Sequence, residues 1–140
     1  NYIIINVYFP CAGTADRQLI CDDLLAEIDS LWQQFEMYET IIAGDFNTSL
    51  DSSDVVAQAI NNFLTKRKLV RADGLFLTAK APTYVNEALK RSSTTDYVVT
   101  TAPDSLLDFT IVDDIINFSD HRPIMASSTV VNLMAIRLKI

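Results

Sequence analysis

The sequence predicts an α/β sandwich, with helices packed on sheets. Apolar residues make up 49% of the 140 positions, and only three Gly and four Pro interrupt them, a composition able to bury a core. Strand-like and helix-like stretches alternate β-α-β-α along the first half of the chain, and a run of short strands follows. The apolar runs, such as Ile3-Ile4-Ile5 and Val98-Val99, have strand length rather than membrane-span length, so no membrane partner is expected.

Tyr2 to Tyr8 reads as a buried strand of β-branched and aromatic residues that Pro10 stops. Thr14 or Asp16 can cap a helix running to about Met37. Ile20, Leu24, Ile28, Leu31 and Phe35 recur at helical spacing and give it one apolar face. Thr40 to Ala43 is a short apolar strand ending at Gly44, and Asp45 to Ser53 is a polar loop. Ser52 or Ser53 then caps a second helix. Val55, Ala59, Ile60, Phe63 and Leu64 point inward there, while Lys66, Arg67 and Lys68 sit near the C-terminal end, where the helix dipole favours cations. After it come short strands linked by polar loops: Thr83-Tyr84-Val85, Tyr97 to Thr100, Phe109 to Val112 and Ile124-Met125-Ala126. Val130 to Ile140 is apolar with two basic residues, a last strand or a foreign tail.

The net charge is −7. A module that holds nucleic acid mainly by charge is basic, so a passive DNA-binding role is disfavoured. A nuclease is not excluded, because acidic residues gathered round a metal ion lower the net charge while creating a local site for phosphate. Cys11 and Cys21 are too few for a disulfide framework, which favours a reducing, intracellular setting. The chain opens at Asn1 already inside a strand, as a piece of something longer would.

Four stretches at strand ends can carry chemistry. In Gly44-Asp45-Phe46-Asn47, alternate residues of an extended segment point the same way, so Asp45 and Asn47 can face one substrate as an anionic oxygen and an amide donor. A plain turn, with Asp45 accepting backbone N–H bonds, is the structural alternative. In Ser119-Asp120-His121-Arg122-Pro123, the chain's one histidine offers a group that titrates near neutral pH. In Thr94-Thr95-Asp96-Tyr97, an Asp enters an apolar strand and needs a partner, for which a His suffices. In Asn6-Val7-Tyr8-Phe9-Pro10, Asn6 and Tyr8 share one face of a strand.

Taken in chain order (Asn-x-Tyr-x-Pro, Gly-Asp-Phe-Asn, an Asp entering a strand, Ser-Asp-His-x-Pro), these stretches resemble the second half of the endonuclease/exonuclease/phosphatase superfamily, over Asn1 to about Ser128. Pro82-Thr83-Tyr84 and Ser119 to Ile124 look most like the endonuclease of LINE-type, non-LTR retrotransposons. The resemblance implies the C-terminal part of a four-layer α/β/β/α, DNase I-like sandwich: one sheet with two helices, the other sheet missing or incomplete. Residues 1–128 would form that portion of the domain, and 129–140 a final strand or tail.

It also implies a divalent-metal phosphodiesterase that nicks DNA within a reverse transcriptase polyprotein, in the nucleus, with Mg²⁺ or Mn²⁺ as cofactor. Asp45 would hold or activate the attacking water and bind the metal together with Asp120. Asn47 would hydrogen-bond the scissile phosphate, with Asn6 as a further substrate contact. Asp96 would orient and charge His121, which would contact the phosphate or help deprotonate the water, and Tyr8 would stabilise charge on the phosphate or leaving oxygen. Asp45, Asn47, Asp96, Asp120 and His121 should therefore converge at one end of the sheets, with His121 and Asp96 directly hydrogen-bonded.

Two departures bear on activity. Cys11 stands where DNA-cutting members often carry Asn. The family's early Asn and its principal metal ligand, a Glu, would lie before Asn1, and Glu27, Glu36 and Glu39 match neither. The chain alone would then be impaired, would lack the N-terminal half of its domain as a partner, and would expose an apolar sheet face that drives self-association. The alternatives are a phosphatase of the same superfamily and a non-catalytic remnant or binding scaffold. Lys66, Arg67, Lys68, Arg71, Lys90 and Arg91 are either a DNA-tracking set or a solvated face.

Overall fold

A computed structural model of the chain describes residues 1–113, 119–129 and 133–137. The first half comprises β1 (Tyr2–Tyr8), α1 (Arg17–Gln34), β2 (Glu39–Asp45), α2 (Val55–Lys66), β3 (Val70–Arg71) and α3 (Ala72–Phe76). Then follow β4 (Tyr84–Asn86), β5 (Arg91–Ser93), β6 (Asp96–Thr100), β7 (Leu106–Ile111), β8 (Ile124–Ser128) and β9 (Leu133–Arg137). The main sheet has the order β3-β6-β2-β1-β9. β1 lies parallel to both β2 and β9, while β6 runs antiparallel to β2 and β3. β9 falls in the stretch read from sequence as a last strand or tail.

Strand alternation divides this sheet into two faces. Ile3, Ile5 and Val7 of β1, Ile42 of β2 and Tyr97 and Val99 of β6 form one core with α1 and α2. On the opposite face, Ile41 and Val98 meet Ala72, Leu106 and Phe109, with Ile4, Ala43 and Ile124 packed beside them. β7 and β8 pair as a two-stranded ribbon over that second face. The far face is thus not left bare, as the sequence had suggested. α3 and an incomplete second sheet cover part of it, because Leu106, Phe109 and Ile111 supply an apolar side of their own. Between ribbon and sheet runs a groove of about 530 Å³ lined by Ile4, Ile41, Val98, Leu106 and Ile124.

Both helices differ from expectation at their ends. Asp16 occupies the N-cap position of α1 in the left-handed region (φ 55) and makes no side-chain capping bond. The helix stops at Gln34 rather than Met37, where the Phe35 N–H reaches back to the carbonyls of Leu31 and Trp32. Its buried residues are Cys21, Leu24, Leu25 and Ile28; of the row read from sequence, Ile20, Leu31 and Phe35 are only partly buried. Asp54, and not Ser52 or Ser53, occupies the N-cap position of α2, and it makes no side-chain capping bond. The Asp54 carboxylate instead accepts hydrogen bonds from Arg17 Nη1 at 3.0 Å and Thr48 Oγ1 at 3.2 Å. Val55 consequently points outward, and Val56 and Ala57 go in.

β2 runs on to Asp45, which the sequence had placed in the loop, because Asp45 has a partner on either side: Tyr8 and Asp96. β4 pairs with β5 in a hairpin that the sequence did not announce, since Arg91-Ser92-Ser93 carries no apolar alternation.

Candidate active site

Register builds the site. Tyr8 on β1 sits opposite Asp45 on β2, which sits opposite Asp96 on β6. Residues two apart share a face, so these three side chains stand in one row on the side where Ile41, Ala43 and Val98 also point. Asn6 lies one step down, opposite Ala43, and borders the groove together with Gly44 and Asp96.

Gly44 makes the close pairing possible. Its φ is +144, and a Cβ there would lie 2.0 Å from the Val7 carbonyl oxygen. Only glycine lets β1 and β2 approach this closely at the step before Asp45.

His121 arrives on the loop that leads into β8. Its residue bridges to Tyr84, whose ring lies 5.2 Å from the imidazole at a tilted angle. His121 Nδ1 is 2.9 Å from Asp96 Oδ2, a hydrogen bond in which the ring N–H donates to the carboxylate. The pair expected from sequence is present. Nε2 lies 3.9 Å from Asp45 Oδ2, too long for a direct bond. Among the described residues, Asp45, Asp96 and His121 form a group whose candidate ligand atoms all lie within 4.8 Å of one another.

The electrostatics follow from this crowding. Burial is the main force pushing the Asp45 carboxyl above its ordinary value, and the charges of Asp96 and Asp120 add to it. A hydrogen bond from the Asn47 N–H to Asp45 Oδ1, at 2.7 Å, and the His121 charge oppose that rise. For His121, burial pulls the pKa down, but the hydrogen bond to Asp96 and the charges of Asp96, Asp45 and Asp120 outweigh it. The net shift is upward.

Asn47 follows directly, held at φ 48. Its side-chain amide donates to the Phe9 carbonyl at 2.8 Å, so one of its two N–H bonds serves the loop. Asp120 stands beside the group and outside it. Its side is exposed, its backbone carbonyl accepts the Val85 N–H at 2.7 Å, and its charge acts on both Asp45 and His121. Tyr8 is 55% exposed at the end of the row. All seven sequence-read candidates therefore lie at this end of the main sheet or on the loop packed against it, with Asn6 and Asp120 at its margin.

Two residues that sequence reasoning passed over hold the frame. Arg17, at the start of α1, donates from Nε to the Pro10 carbonyl at 3.0 Å, from Nη2 to the Asn47 carbonyl at 2.9 Å and from Nη1 to Asp54. It ties the loops after β1 and β2 to the cap of α2. The other is Thr83, buried between β6 and the His121 loop. Its only advance signal was its place in the Pro-Thr-Tyr stretch.

A helix-backed sheet facing a second sheet, with paired carboxylates and a histidine gathered at the strand ends, is the DNase I-like architecture of the endonuclease/exonuclease/phosphatase superfamily. Solved structures agree. The endonuclease domain of TRAS1, a telomere-specific non-LTR retrotransposon, superposes with a TM-score of 0.65 at 17% identity, over 79% of this chain and 52% of that one. The 3′ phosphatase NExo from Neisseria, bound to a product DNA hairpin, gives 0.68 at 15% identity, over 90% and 61%. An endonuclease/exonuclease/phosphatase family protein from Leptotrichia buccalis C-1013-b gives 0.57 at 18%, over 76% and 42%. The chain thus spans less than two thirds of each of these structures. No curated protein matches it in sequence.

Within the superfamily, the Endonuclease-reverse transcriptase family profile matches residues 2–125, and the chain belongs to that family.

Proposed function

We propose that this chain contributes the catalytic row of a DNA-nicking endonuclease that works with a reverse transcriptase in a retrotransposon polyprotein, in the nucleus. The observation that carries this is the in-register pair Asp45 and Asp96, closed over by His121 at 2.9 Å from Asp96. The family match and the likeness to the TRAS1 endonuclease domain favour DNA as the substrate.

The residues fit a hard divalent cation, Mg²⁺ or Mn²⁺. Asp45 is a half-buried carboxylate beside a second one, a concentration of negative charge that a cation relieves. Mg²⁺ in phosphoryl-transfer sites takes one or two carboxylates and completes its shell with water and phosphate oxygens. Asp45 would hold it, with Asp120 within electrostatic reach. Bound there, the ion would neutralise charge on the phosphate.

Each side chain then has a task. Asp45 accepts a proton from the water that attacks phosphorus. Asp96 favours the charged form of His121 and orients its ring through the Nδ1 hydrogen bond, which leaves Nε2–H to donate to a phosphate oxygen. The free amide hydrogen of Asn47 and the Tyr8 hydroxyl serve the phosphate and the leaving oxygen, and Asn6 serves the substrate along the groove.

We place full activity in a longer domain, since these residues span about half of the TRAS1 endonuclease chain. The test is nicking of supercoiled plasmid by that longer domain with Mg²⁺, beside Asp45→Ala and His121→Ala. Metal-dependent nicking lost in both variants supports the reading. Phosphate release from 3′-phosphorylated oligonucleotides without nicking would move the assignment to a phosphatase, the activity named for NExo. Neither activity, in a folded domain, would leave a non-catalytic scaffold.

A further inference from the structure

Thr83 bears on both halves of the His121–Asp96 pair. It is fully buried although polar. Its Oγ1 accepts two backbone hydrogen bonds, from the N–H of Thr95 and the N–H of Asp96, each at 3.0 Å. These are the residues that bring the chain into β6. The Thr83 main chain reaches the opposite way. Its carbonyl accepts the Arg122 N–H at 2.6 Å, next to His121. Tyr84 bridges to His121 itself, and the Val85 N–H donates to the Asp120 carbonyl. One residue therefore grips the base of Asp96 by its side chain and the histidine loop by its backbone.

We propose that Thr83 is a positioning residue: its hydroxyl sets where the Asp96 carboxylate sits relative to the His121 ring. The proposal rests on the reading of Asp96 and His121 as a working pair. Serine fits the role, because it keeps the acceptor oxygen. Valine matches threonine in shape and does not, because it leaves two part-buried N–H groups without that acceptor.

Because the chain has one histidine, its imidazole nitrogens can be read without ambiguity. The experiment is ¹⁵N NMR of this chain at one neutral pH, comparing the parent with Thr83→Val, Thr83→Ser and Asp96→Asn. In Thr83→Val, the amides of Thr95 and Asp96 should exchange roughly five- to tenfold faster while those of β1 and β2 stay as in the parent. The His121 nitrogen signals should move toward those of Asp96→Asn, and Thr83→Ser should resemble the parent on both counts. A folded Thr83→Val with parent-like Thr95 and Asp96 amides and parent-like imidazole signals overturns the proposal. Should Thr83→Val fail to fold, Thr83→Cys, which puts a weaker acceptor in the same place, must show both changes in smaller measure, and a parent-like Cys variant overturns it equally. If Asp96→Asn itself leaves the imidazole signals unmoved, the pairing of Asp96 with His121 is what fails, and the Thr95 and Asp96 amides still decide the role of Thr83.

Discussion

Replacing Gly44 with alanine tests the link between strand packing and the site. The added Cβ would stand 2.0 Å from the Val7 carbonyl oxygen, 2.9 Å from its carbon and 3.0 Å from its nitrogen, all backbone atoms that no side-chain rotation can move away. Relief requires β1 and β2 to separate by roughly 1 Å, enough to break a hydrogen bond such as that from the Phe9 N–H to the Asp45 carbonyl, now 2.9 Å. One or two lost bonds at about 1 kcal/mol each, with about 1–3 kcal/mol for a non-glycine residue at φ +144, give a loss of about 2–5 kcal/mol. At an m-value of about 2 kcal/mol/M, the urea midpoint should fall by about 1–2.5 M. Fluorescence of Trp32, the single tryptophan, reports it. The other two glycines are internal controls. Gly13 has φ +89 but open space, so Gly13→Ala should cost only about 1–2 kcal/mol. Gly74, in α3, has neither restriction, and Gly74→Ala should be neutral or stabilising by ~0.5 kcal/mol. A Gly44→Ala midpoint within about 0.5 M of the parent, or a fall as large in Gly74→Ala, would refute the close-approach account.

Asp96→Asn should lower the His121 pKa, as followed by NMR titration of the ring. Because the folded-state value is raised, the stability the pair contributes is complete below the ordinary histidine value and is lost as pH rises through the raised one. Asp96→Asn should flatten that slope, and an unchanged titration would contradict the hydrogen-bond assignment. Arg17→Met should cost about 2 kcal/mol through its bonds to the Pro10 and Asn47 carbonyls, measured by the same urea unfolding. The Asp54 arm, 40% exposed on the acid side, adds little, so Asp54→Asn should fall well short of Arg17→Met. The open groove lined by Ile4, Ile41, Val98, Leu106 and Ile124 should make this chain self-associate, visible as a concentration-dependent sedimentation coefficient. A strict monomer across the range would show the groove to be sealed in solution.

What could be read from the sequence was whatever depends on period and order. Alternation put Asn6 and Tyr8 on one face of β1, and a lone Asp entering an apolar strand called for a partner that proved to be His121. Alternation does not reach Asn47: the strand ends at Asp45, Asn47 is left-handed (φ 48), and its N–H closes the turn on Asp45 Oδ1 that was the other reading. The position of Asp45 as the last residue of β2 escaped, because a strand end is decided by neighbours on both sides rather than by its own residue types. Arg17 and Thr83 escaped for a related reason. A helix-start arginine and a threonine opening a short strand show no sign of these roles until three chain segments close round them. Asp54 rather than a serine holds the N-cap position of α2, and its carboxylate turns to Arg17 and Thr48 instead of to the helix N–H groups.

The row Tyr8–Asp45–Asp96 also says which kinds of genetic change this architecture tolerates. Its alignment is counted in strand residues, so a single-residue insertion within β1, β2 or β6 would turn Tyr8, Asp45 or Asp96 to the helix side. The turn from Glu87 to Lys90 is under no such arithmetic. It projects beyond a hairpin anchored behind it, at Thr83 to Ser93 and at Val85 to Asp120. A change in the length or sequence of that tip leaves the register of the row untouched, so the reacting groups stay where the strands put them.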